Sequence, residues 1–250
     1  MVIRSLGLFL VEISAGVSLL LVFYPTRILG RGFFALHGLI ALSALALSAA
    51  LSPREAAAPR AAALLLLTAY TLLSRVGRMR VARGLLIAAA AGQYAVLALI
   101  CRQIDPARAG WISTGAVLGS LLFGTVLLTM NLGHWYLVSR SLPMSLLFRA
   151  AVSYGAACAA RCVYLAVAAA LRPNPAAWEA LTSVDREGLF FLFRILWGIV
   201  GPLALAYFIF QTSKMRSNQA ATGLLYVALV FVLVGELLSA YLTVATGFPA

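Results

Sequence analysis

Charge is scarce in this chain. Of its 250 residues, 10% are charged and 63% are hydrophobic, with a mean hydropathy of +1.00. A soluble domain carries about 25% charged residues, so the composition excludes a water-soluble fold. Lysine is almost missing: Lys214 is the only one, against 18 arginines. No lysine falls inside an apolar run, which excludes a retinal Schiff base. Acids number seven and histidines two, His37 and His134. The three cysteines, Cys101, Cys158 and Cys162, lie in apolar runs. They form no CxxC and no Cys/His spacing for zinc or an iron–sulfur cluster. Cys158 and Cys162, four apart on one helix face, read as small residues packing between helices. Walker A, HExxH and GxSxG are absent, as is the paired-aspartate motif of prenyl transferases, and nothing matches a potassium filter.

Long apolar runs are what the chain has instead. About 20 apolar residues cross a bilayer as a helix. Eight such spans are read at 5–24, 33–51, 61–74, 84–101, 111–138, 145–171, 189–210 and 220–243, an all-α, polytopic membrane bundle. Pro25, Ser52-Pro53, Gly77, Pro106 with Gly110, Pro143, Pro173-Asn174-Pro175 and Ser213–Asn218 separate them. The first run carries Glu12 and lacks a small-residue cleavage site before Pro25, so it reads as a retained span and not a signal peptide. The fifth, from Gly115 to Pro143, is the central helix. Gly115, Gly119 and Gly124 admit a close neighbour, and Asn131, His134, Trp135 and Tyr136 gather at its far end. In the seventh, Gly198–Pro202 predicts a kink whose freed carbonyl is met by neighbouring groups. The chain reads as a single bundle, 1–250, within which a 4+4 helix repeat (1–105 and 111–250) is marked by two short matches. Arg78-Met79-Arg80 resembles Lys214-Met215-Arg216, and Gly84-Leu85-Leu86 resembles Gly223-Leu224-Leu225.

The net charge of +12 is not a nucleic-acid signal, because the basic residues are scattered between apolar runs. With eight spans, one set of loops holds Arg27, Arg31, Arg75, Arg78, Arg80, Arg83, Arg140, Lys214 and Arg216 and no acid. The other set holds Glu55, Asp105, Glu179, Asp185 and Glu187. Excess Lys/Arg marks the cytoplasmic side. The expectation is an integral protein of a bacterial inner membrane with both termini outside. The longest loop, Arg172 to Gly188, is expected to form a short amphipathic helix on the outer surface with Trp178 at the interface, the best docking surface for a partner.

Ionisable residues at membrane depth are costly and mark function or a paired structural contact. Glu12, Arg161, Arg194 and Glu236 qualify. Counting about 1.5 Å per residue puts Glu12, Arg194 and Glu236 roughly 10 Å in from the outer side, and Arg161 near the midplane. Paired, they lock helices together. Together they also offer a polar pocket for a quinone or a proton. His37, Asn131, His134, Trp135 and Tyr136 make a secondary polar and aromatic set towards the opposite side. One histidine on each of two helices is the minimum for bis-histidine haem b, so His37 and His134 are alternative haem ligands. No other metal site is expected.

The pattern Leu8–Gly16 (LFLVEISAG), Gly201-Pro202 and Gly235-Glu236 resembles the membrane anchors of polysulphide-reductase-type (NrfD-like) complexes. Members of that family are haem-free helical bundles that exchange electrons between membrane quinone and an external iron–sulfur subunit. The resemblance implies a non-catalytic, quinone-binding subunit of an oxidoreductase complex, with no covalently bound cofactor and with Glu12 and Glu236 in the polar pocket. Two alternatives stay open: a haem b cytochrome, and a structural subunit or small-molecule transporter without a redox role.

Overall fold

A backbone in hydrocarbon must satisfy its own N–H and C=O groups, and a helix does this within one segment. The computed structural model is all-α accordingly, with no strand among the described residues. It describes residues 1–52, 54–138, 142–171 and 174–248; Pro53, Arg140, Arg172 and Pro173 lie outside them. Among the described residues eight helices are long and apolar enough to cross a membrane, and the chain is an integral membrane protein. They are α1 (Val2–Leu21), α2 (Arg31–Leu51), α3 (Ala57–Arg75), α4 (Met79–Ile104), α5 (Ala109–Val138), α6 (Met144–Leu171), the run Arg186–Lys214, and α10 (Asn218–Thr246). Arg186–Lys214 comprises α8 (Arg186–Ile195), a π-helical turn (Leu196–Val200) and α9 (Gly201–Lys214). Most run a few residues beyond the sequence-read limits, because polar and charged residues at helix ends remain helical.

The chain divides into two compact units, 1–120 and 121–250. In the first, α1 packs on α2 and α4, α2 on α3, and α3 on α4. One end of this unit joins α1 to α2 and α3 to α4. There Arg83 donates to the Val22 carbonyl, closing α4 onto the end of α1. At the other end Arg4 pairs with Glu55 at 3.0 Å, and Arg60 Nη1 donates to the Ser52 carbonyl at 2.6 Å, capping α2. In the second unit α6 packs on α9, α9 on α10, and α10 on α8 and the π turn.

Two turns, one in each unit, close alike. After α3, Val76, Gly77 and Arg78 donate to the carbonyls of Leu72, Ser74 and Leu73; after α9, Met215, Arg216 and Ser217 donate to Gln211, Ser213 and Thr212. Gly77 (φ 84°) and Arg216 (φ 58°) hold the left-handed position that ends each helix. The two turns correspond at a shift of 139 residues, the register of Gly84 and Gly223 and not of Arg78 and Lys214. The buried faces follow the same shift. Ala82, Leu86, Ala89 and Gln93 on α4 match Ala221, Leu225, Ala228 and Val232 on α10, all buried. Leu97 and Ile100 match Glu236 and Ser239.

The short helix expected between Arg172 and Gly188 is present. Pro175 starts α7 (Pro175–Thr182), whose N-cap Asn174 accepts from Ala177 N–H at 3.3 Å. Asn174 Nδ2 also donates to the Thr246 carbonyl at 3.1 Å. Trp178 packs on Phe191 and Phe248, over a cluster with Leu165, Leu181 and Leu242. The indole is therefore half-buried, packed against the core of this unit.

Candidate functional site

The second unit holds a buried charge cluster. Glu236 on α10 is 1% exposed, Arg161 on α6 is 1% and Arg194 on α8 is 0%. Arg194 Nη2 donates to Oε1 of Glu236 at 3.0 Å. Arg161 donates from Nε to Oε1 at 3.4 Å and from Nη2 to Oε2 at 3.2 Å. Arg161 Nη2 also reaches Ser239 Oγ at 2.6 Å, and its guanidinium stands 5.7 Å from the Tyr164 ring centroid. One carboxylate thus accepts from two guanidiniums carried by two other helices, with a hydroxyl alongside. Charge-assisted bonds of this kind fix orientation as well as energy.

Helix geometry brings the three together. α6 ends at Leu171 and α10 at Thr246, so Arg161 and Glu236 each stand ten residues before their helix end. Arg161 and Glu236 are therefore level; the sequence count set Glu236 nearer the outer side because α10 runs on to Thr246, past the read limit at 243. Arg194 arrives through two local devices. The first is the crossing of Gly198 and Gly235, where a Cβ on Gly235 would lie 2.2 Å from Gly198 Cα. The second is the π turn, in which Gly201 N–H reaches back to the Leu196 carbonyl. An added residue in one turn changes the angle between Arg194 and Pro202 from about 80° to about 20°, given about 100° per residue. Arg194 thereby joins the buried face of Pro202, Ala206 and Ile209. The kink predicted from Gly198–Pro202 takes this π form, which accommodates a proline that has no N–H to give, and Tyr154 Oη bonds the Pro202 carbonyl at 3.2 Å.

Glu12, the fourth charged candidate, is buried on α1 in the first unit, 5% exposed. The secondary residues are divided between the two units. His37 is fully buried on α2, its Nδ1–H donating to the Phe33 carbonyl at 2.7 Å, with the Phe33 ring 4.2 Å away. It belongs to the first unit, and Asn131, His134, Trp135 and Tyr136 to the second. Tyr136 is buried and closes the α5–α6 turn: its Oη donates to the Pro143 carbonyl at 2.5 Å and accepts from Leu147 N–H at 3.3 Å. His134 is exposed, with Nδ1 3.3 Å from Tyr226 Oη on α10. Asn131 and Trp135 are half-buried on the same helix. Among the described residues no group of three His, Cys, Asp or Glu could hold a metal ion.

Four buried polar residues, Ser239, Gln93, Ser14 and Arg60, escape the sequence reading. Ser239 follows Glu236 by one helical turn, and that spacing is its only sequence signal. Gln93 donates from Nε2 to Ser14 Oγ at 2.9 Å, and Ser14 Oγ to the Ala41 carbonyl at 2.7 Å, a relay across α4, α1 and α2. Arg60 stands just before the apolar run read as the third span, yet is 2% exposed. Its signal is the lone arginine within AAAPRAAA. No protein-family model, curated protein or solved structure matches the chain.

Proposed function

We propose that the chain is the integral membrane subunit of a redox complex and binds quinone at the Arg161–Glu236–Arg194 cluster. One observation supports this reading. In the matching register of the first unit, the places of Glu236 and Ser239 are taken by Leu97 and Ile100. The fold therefore packs with apolar residues there, and the charges are an addition that it does not need. Buried ion pairs often contribute less stability than an apolar replacement, which makes a ligand-directed role the economical explanation. Guanidinium N–H groups and the Ser239 hydroxyl are donors suited to quinone oxygens, and Glu236 orients both arginines. Reduction to quinol takes two electrons and two protons; the electrons would come from an iron–sulfur or other redox partner outside the bundle. Glu12 is a proton-handling candidate in the first unit. The Arg-rich loops are placed on the cytoplasmic side of a bacterial inner membrane, with both termini outside.

The test is equilibrium binding of decyl-ubiquinone and menadione to the detergent-purified chain. The variant combines Arg161→Met, Arg194→Leu and Glu236→Leu, which removes all three charges and keeps volume. A triad replaced in this way commonly stays folded, and circular dichroism checks it. Saturable binding that falls at least tenfold in the variant is the expected result. Equal binding by both proteins, or none by either, overturns the reading.

One observation favours a second reading. The Nδ1–H of His37 is held by a carbonyl, the arrangement that fixes the tautomer of a metal-ligating imidazole. A Soret band that shifts on reduction of the purified chain would replace quinone by haem b on His37 and His134. A chain that binds neither would be a structural subunit or a transporter.

A further inference from the structure

At the arginine-rich end of the first unit, a groove of about 410 Å³ is lined by Arg31, Gly32, Ala35, Leu36, Leu39 and Arg75. Its two parts differ in chemistry. The mouth carries two guanidiniums. Arg31 is the first residue of α2 and Arg75 the last of α3. Arg31 lies flat on Gly77 of the α3–α4 turn, where a Cβ would come within 2.4 Å of its Cζ. Glycine there leaves room for the guanidinium and holds it at the groove. The start of α2 has Gly30 as N-cap and no side-chain cap bond, so the positive end of a 21-residue helix opens at the same place. Below the mouth the lining turns apolar. Leu36 and Leu39 are 41% and 44% exposed, in line with Gly32 and Ala35 along one face of α2.

Charge around the groove is of one sign. The acids of the first unit are Glu12, within α1, and Glu55 and Asp105, in the turns after α2 and α4. The turns after α1 and α3 carry Arg27 and Arg78 and no acid, and Arg31 and Arg75 stand at the helix ends that flank them. A site with an anion-binding mouth continuing into an exposed apolar track along a membrane-spanning helix fits one occupant. We propose that the groove binds an anionic phospholipid. Its phosphate sits between Arg31 and Arg75 and one acyl chain runs along Leu36 and Leu39. Basic sites between spanning helices take anionic head groups in this way. The proposal is independent of the quinone reading, since it involves none of those residues.

The experiment places the full chain in nanodiscs of phosphatidylcholine with graded phosphatidylglycerol and counts retained lipids by native mass spectrometry after release into detergent. The unmodified chain is expected to retain phosphatidylglycerol over phosphatidylcholine. Each of Arg31→Gln and Arg75→Gln should lower that preference about fivefold, and the pair about thirtyfold. Leu39→Ser, which leaves the charges alone, should weaken retention of the full lipid. Glycerophosphoglycerol, the same head group without chains, should not displace it. Equal retention of both lipids by the unmodified chain, or an unchanged preference in the double variant with its helix content intact, overturns the proposal. Displacement by the chain-free head group overturns it too, since the site would then take a soluble phosphate.

Discussion

Glu236→Gln tests the charge cluster most directly. The substitution keeps shape and removes the charge, leaving Arg161 and Arg194 at 1% and 0% exposure. Nitrogens of both guanidiniums lie within 3.4 Å of the same carboxylate oxygen, so the two cations stand about 6 Å apart. At an effective dielectric of about 20 they repel by about 3 kcal/mol. The attraction to the carboxylate, which now offsets that repulsion, is lost with the mutation. Removing one partner of a buried pair costs about 3–5 kcal/mol. For a chain of this size that lowers Tm by about 10 °C, at about 2–4 °C per kcal/mol. The assay is thermal unfolding in detergent followed with a thiol-reactive dye, because Cys101 and Cys158 are buried and become reactive on opening. Glu236→Leu combined with Arg161→Met and Arg194→Leu should recover most of the loss, since no unpaired charge then remains. A Glu236→Gln protein melting within about 2 °C of the unmodified one would refute the reasoning.

Two further outcomes follow from the geometry. Gly235→Val should force α10 from the π turn, since even a Cβ there meets Gly198 Cα at 2.2 Å; the expected result is a Tm loss at least as large as that of Glu236→Gln, with Gly223→Val, which meets open space, as the silent control. Asp185 accepts from Gly188 N–H at 3.1 Å as the N-cap of α8, and hydrogen bonds from the Ser183 hydroxyl and that amide hold its carboxyl below the usual value of 3.8. A lowered carboxyl contributes stability that is present above the ordinary value and lost as pH falls through the lowered one. The protection factor at Gly188, the intrinsic exchange rate divided by the observed rate at each pH, should therefore hold at neutral pH and fall as pH drops through the lowered carboxyl value, and Asp185→Ala should abolish the dependence.

The architecture was legible because hydrophobic length is a local property. About 20 apolar residues satisfy a bilayer whatever their neighbours, so the helices could be counted from the runs alone. Limits were less legible. Arg60 and Arg186 belong to helices although they lie outside the apolar runs, because an arginine at a helix end can reach a carbonyl or a carboxylate, as these do at Ser52 and Glu187. Glu12, Arg161, Arg194 and Glu236 could be picked out as costly at membrane depth, and that cost is also local.

What the sequence by itself determined is thus the list of helices and the list of residues that demand an explanation. Only tertiary structure decided how they combine. Arg161 and Glu236 are 75 positions apart, and no periodicity records that their helices end level. A single extra residue in the π turn swings Arg194 onto the buried face, and two glycines let its helix approach α10. Tyr136 was read with His134 and Trp135 as one polar end, yet its hydroxyl closes a turn. Trp178 was read from its loop alone, yet its ring packs on Phe191 and Phe248 from other segments. The physical reason is the same in each case. A residue's cost of burial depends on its own side chain, whereas the partner that offsets it is set by helix rotation and crossing distance. Those are properties of two segments together and are written in neither one.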